Sequence, residues 1–64
     1  GISMISVKAL REKQGLSQEE LASKIGLTRS AVAMIENGSN KLTVDNAKKI
    51  GEVLRVDWKD FFID

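Results

Sequence analysis

The sequence predicts an all-α fold of five short helices in one compact domain, and three observations lead there. Gly15, Gly26, Gly38 and Gly51 punctuate the chain at intervals of 11, 12 and 13 residues, and between them apolar residues recur every three or four positions. Ser17, Thr28, Thr43 and Asp57 each stand just ahead of such a run, where a side-chain oxygen can cap a helix. No proline interrupts these segments, and no alternating strand pattern, repeat or linker is visible.

The first helix runs from about Ser6 to Gln14, with Val7 and Leu10 on one face and Gly15 free to adopt the left-handed conformation that ends it. Ser17-Gln18-Glu19-Glu20 is a capping box: the Ser17 hydroxyl accepts from the Glu20 N–H while the Glu20 carboxylate reaches back to the Ser17 N–H. The second helix turns Leu21, Ala22 and Ile25 inward and stops at Gly26. Thr28 caps a third helix through Ala31, Val32 and Ile35 to Asn37-Gly38, and Ser39 to Leu42 form a polar loop. Thr43 caps a fourth helix carrying Val44, Ala47, Ile50, Val53 and Leu54, in which Gly51 costs about 1 kcal/mol relative to alanine and so marks close packing. Val56 to Phe62 read as a fifth helix capped by Asp57, with Trp58 and Phe61 closing the core and Phe62 and Ile63 left outside it.

Sixty-four residues allow a single domain, assigned to residues 4–64, with Gly1-Ile2-Ser3 ahead of Met4 reading as the scar of a cleaved tag. With no histidine and no cysteine, the usual zinc ligands, disulfides, thiolate nucleophiles and Ser-His-Asp triads are excluded. No glycine-rich phosphate loop or suggestive carboxylate pair is present either, so neither an enzyme nor a cofactor or small-molecule site is expected. The longest apolar run, Ala31 to Ile35, has five residues where a membrane span needs about 20. A cytoplasmic protein is the expectation. Net charge is only +1, but residues 1–20, 21–50 and 51–64 carry 0, +3 and −2, the asymmetry of a molecule that turns one face to a polyanion.

Two helices joined by so short a turn must cross steeply, as in a helix-turn-helix. The crossing needs a small residue on the first helix, a residue tolerant of positive φ in the turn and a branched apolar residue facing back from the second. Ala22, Gly26 and Val32 supply these, with Leu21, Ile25, Leu27 and Ile35 completing the apolar lining. The runs Leu16-Ser17-Gln18-Glu19-Glu20-Leu21-Ala22, Gly26-Leu27-Thr28-Arg29-Ser30 and Ile35-Glu36-Asn37-Gly38 resemble the phage repressor and Cro type (Xre-like) helix-turn-helix proteins over about residues 5–62. The resemblance implies a lambda-repressor-like domain whose third helix lies in the DNA major groove and which binds operator half-sites as a homodimer. It also implies an ion pair between Arg11 and Glu36, which would neutralise an acid beside DNA.

Helical geometry, at about 100° per residue, puts Thr28, Ala31, Val32 and Ile35 on the inward arc and Arg29, Ser30, Ala33, Met34 and Asn37 on the outer one. Arg29 in the first turn can pair with guanine O6 and N7, or serve as a phosphate contact or a solvated charge. Ser30 can donate to or accept from any base, and Ala33 and Met34 offer apolar contact to a thymine methyl. Met34 can equally pack against a neighbour. For the phosphates the candidates are Gln18 beside the second helix's free N–H groups, Thr28, Asn37 and Lys41, with Ser39 and Asn40 through backbone N–H groups. Asn37 can alternatively be a helix cap and Lys41 a free surface charge. The expected function is a sequence-specific DNA-binding transcriptional regulator, most simply a repressor on a pseudo-palindromic duplex operator. The rival is a protein-interaction module on the same fold, antitoxin-like or coactivator-like, favoured by the near-neutral charge and the Ala33-Met34 face.

Overall fold

The computed structural model describes residues 6–62; the expected tag boundary at residues 1–3 and the exposed role expected of Ile63 lie outside them. Four α-helices follow one another, α1 (Val7–Lys13), α2 (Gln18–Ile25), α3 (Arg29–Asn37) and α4 (Val44–Leu54), and a 3-10 helix (Trp58–Phe62) closes the chain. The architecture is all-α, with one correction: the fifth element is a 3-10 helix and not an α-helix. The Asp57 carboxylate accepts the Lys59 N–H at 3.0 Å, two residues on, and the Asp60 N–H reaches the Asp57 carbonyl three residues back. That tight winding suits a short run, since i to i+3 bonds are rarely sustained beyond a turn or so.

Side-chain caps set the starts. Ser6, Ser17, Thr28 and Thr43 all have extended backbone and accept a hydrogen bond from the N–H three residues on. At α2 the capping box is complete, with Ser17 N–H donating to Glu20 Oε1 at 2.9 Å and Glu20 N–H to Ser17 Oγ at 3.0 Å. Those two bonds hold the Glu20 carboxyl below the usual carboxylate range.

At the α2–α3 turn Gly26 has φ 74°, and a side chain there would meet no heavy atom within 4 Å. Glycine is therefore required by backbone conformation and not by crowding. Gly51 is the opposite case: a Cβ would lie 2.8 Å from the Val56 carbonyl oxygen and 3.2 Å from Trp58 Cα, so the chain leaving α4 folds back against α4 itself. Arg55 makes that return possible in the left-handed region, φ 61°.

Helix α2 is the central strut, packed against both α3 and α4, while α1 and the 3-10 helix rest on α4. The core is Val7, Leu21, Ala22, Ile25, Val32, Ala47, Ile50, Leu54 and Phe61, with Trp58 half-buried at its edge. Gln14 ties α1 to α4 by donating its side-chain amide to the Leu54 carbonyl at 2.6 Å, satisfying one of the acceptors a helix end leaves open. No helix among the described residues is long and apolar enough to cross a membrane.

Candidate nucleic-acid interface

Helix α3 is fixed to the domain by Val32, 1% exposed, with Ile35 half-buried beside it. Arg29, Ser30 and Met34 lie exposed on the other side, together with Asn37 at the helix end. Two placements correct the helical-wheel expectation. Thr28 is exposed, because its hydroxyl is occupied in capping Ala31 N–H at 3.1 Å and stays at the rim; Ala33 is half-buried and sits at the margin of the outer face.

Glu36 turns inward, its side chain 3% exposed, and accepts from Arg11 Nε at 2.7 Å and from Arg11 Nη2 at 3.2 Å. Arg11 also donates to the Leu16 carbonyl at 2.7 Å, so one guanidinium joins α1, the loop before α2 and α3. Burial pushes the Glu36 carboxyl up, but the hydrogen bonds from Arg11 and Gln18 and the charges of Arg11 and Lys8 prevail and hold it below its usual range. The same contact with Glu36, working against desolvation, raises the Arg11 guanidinium further.

Gln18 is half-buried, and its side-chain amide donates to Glu36 Oε1 at 3.0 Å. Only the second amide hydrogen remains for a phosphate. Sequence reasoning missed this bond, because the two residues are 18 positions apart and no local pattern links them. At the other end of α3, Asn37 Oδ1 accepts the Ser39 N–H at 2.8 Å, and the Asn40 N–H donates to the Met34 carbonyl at 3.1 Å. The Ser39 and Asn40 N–H groups, expected at phosphates, thus bond within the turn that ends α3. The side chains of Ser39, Asn40 and Lys41 stay exposed around it, with Asn40 Nδ2 at 3.9 Å from Met34 Sδ.

A short tight turn, a small residue at the crossing and a second helix with a solvent-facing polar edge define a helix-turn-helix module of the DNA-binding kind. The helix-turn-helix family profile matches residues 7–61, and the chain belongs to that family. It is a DNA-binding transcriptional regulator, a class distinct from enzymes. Among curated relatives, the HTH-type transcriptional regulator YqaF of Bacillus subtilis is 45% identical over 58 residues, covering 91% of this chain and 76% of that protein. Control protein C.MunI of a Mycoplasma species is 37% identical over 57 residues, covering 89% and 77%. Among solved structures, the restriction-modification controller protein C.AhdI of Aeromonas hydrophila superposes with a TM-score of 0.83 at 35% identity, covering 89% of this chain and 86% of that one.

Proposed function

We propose that the chain represses transcription by binding a pseudo-palindromic duplex operator as a homodimer, with α3 in the major groove. The observation that carries this reading is the fate of charge on α3: its one acidic side chain, Glu36, is drawn inward by Arg11, leaving Arg29 as the charged group of the outer edge and Lys41 just beyond its end. Arg29 and Ser30, in the first turn, read base edges, and Ala33 and Met34 meet thymine methyl groups. Gln18, Thr28, Asn37 and Lys41 position the module on phosphates from either side, assisted by the side chains of Ser39 and Asn40.

Dimerisation is supported by a groove whose apolar part is Val7, Ile35, Leu42, Phe61 and Phe62, the last 42% exposed; Asn37, Asn40 and Lys41, the candidates for phosphate contact, line its other side, so the partner copy would cover the apolar part alone. The groove joins the loop before α4 to the 3-10 helix, on the side where α3 ends. Half-site centres about 34 Å apart are expected for such a dimer. Such a protein works at the nucleoid, in the cytoplasm.

Selection of bound sequences from a random duplex pool, followed by salt titration on the winner, tests the reading. The expected result is a two-fold symmetric site and, for about 5 neutralised phosphates, a log K against log salt slope near −4 to −5. Failure to enrich any sequence, or binding only to protein partners with little salt dependence, would replace it with an interaction module. Arg29→Ala is expected to leave Tm unchanged while reducing preference for the selected site over random DNA by about 1–3 kcal/mol.

A further inference from the structure

Asn37 ends α3 and is followed by Gly38 in the left-handed region, φ 85°, and both residues are exposed. The 2.8 Å bond from the Ser39 N–H to Asn37 Oδ1 holds the side-chain amide against the backbone that follows it. It also withdraws electron density from Cγ, making that carbon a better electrophile. The Gly38 N–H is only loosely committed, its bond to the Ile35 carbonyl being 3.4 Å, beyond the usual hydrogen-bond range. Glycine places no side chain in the path between nitrogen and Cγ.

From this arrangement we infer that Asn37 is a site of spontaneous deamidation, through which the outer edge of α3 gains a negative charge as the protein ages. The Gly38 nitrogen, having lost its proton to hydroxide, attacks Asn37 Cγ; an N–C bond forms, the bond to the side-chain nitrogen breaks, and ammonia leaves. Water then opens the five-membered imide at either carbonyl and yields an aspartyl or isoaspartyl residue. Amide and water become carboxylate and ammonium, with no oxidant or reductant required. The other asparagines among the described residues lack the arrangement: Asn40 precedes Lys41 and Asn46 precedes Ala47, whose Cβ atoms hinder attack, and Asn46 lies within α4.

The functional consequence rests on the DNA-binding reading above. A carboxylate at position 37 stands at the negative end of the α3 dipole and on the edge assigned to phosphates, so the modified protein is expected to bind duplex about tenfold more weakly. The isoaspartyl form also lengthens the backbone by one carbon at the turn that holds Ser39.

Incubating the folded protein at mildly alkaline pH and 37 °C, then mapping peptides by mass spectrometry, tests the chemistry. The expected result is a gain of about 1 Da at Asn37, with isoaspartyl exceeding aspartyl product, several-fold faster than at Asn40 or Asn46 and suppressed in Asn37→Gln. Conversion at Asn37 no faster than at Asn46 would overturn the proposal. The charge-shifted fraction, separated by ion exchange, and the directly made Asn37→Asp variant are then titrated with the selected duplex. Binding equal to that of fresh protein would overturn the functional half. Failure of fresh protein to bind any duplex would instead refute the DNA-binding reading and leave the mass result standing.

Discussion

Replacing Arg11 with methionine removes the partner of a carboxylate whose side chain is 3% exposed, while conserving most of the arginine's apolar volume. Glu36 then keeps only the Gln18 amide, at 3.0 Å, of the three hydrogen bonds it accepts from side chains, and the Leu16 carbonyl loses its 2.7 Å donor. Breaking a buried pair from one side costs about 3–5 kcal/mol. This pair lies a single side-chain layer below the surface of a small domain, where water can re-enter, so the low end applies, about 3 kcal/mol. A chain of 64 residues has a total stability of roughly 3–10 kcal/mol, so the variant loses between about three-tenths and all of it. Urea titration followed by Trp58 fluorescence and by circular dichroism measures the change. Arg11→Met combined with Glu36→Leu, which removes both charges, is expected to recover most of the loss. A single-variant loss below about 1 kcal/mol, or a double variant no more stable than the single, would refute the claim that an uncompensated buried acid is the source of the cost.

Glu36 and Glu20 both have carboxyls held below their usual range. Their contribution to stability is therefore complete above the unfolded carboxylate value of about 4.3 and is lost as pH falls through the lower folded values; in Arg11→Met, where burial of Glu36 is no longer offset, the Glu36 part of that acid limb should disappear or reverse, so that the variant's deficit shrinks as pH falls in a series of urea midpoints. Arg55→Gly relieves an exposed side chain in the left-handed region and is expected to raise stability by about 1 kcal/mol, seen as a higher urea midpoint; a lower midpoint would mean the arginine side chain stabilises the turn. Gly51→Ala forces a Cβ to within 2.8 Å of the Val56 carbonyl and is expected to cost about 1–3 kcal/mol, with a shifted Trp58 emission as the chain after α4 is displaced.

The helices and their caps were legible in the sequence because they are local: a serine or threonine oxygen needs only the N–H three residues on, and the Ser17–Glu20 box closes within four positions. Gly26 was legible for the same reason, since positive φ belongs to one residue. The type of the fifth segment was not legible, because its apolar pattern fits an α-helix and a 3-10 helix alike over so few residues; the backbone bond from Asp60 N–H to the Asp57 carbonyl, three residues back, is what distinguishes them.

What the sequence determined by itself was the number of elements, their limits and the outward address of Arg29, Ser30 and Met34, all consequences of short-range periodicity. Tertiary structure decided which polar groups remain free to meet a ligand. The amide of Gln18 is half spent on Glu36, and the Ser39 and Asn40 N–H groups are spent on the turn after α3. Hydrogen-bond capacity is used up by whichever partner comes closest in space, and distance in space between α1, α2 and α3 is set by packing around α2 rather than by any pattern along the chain.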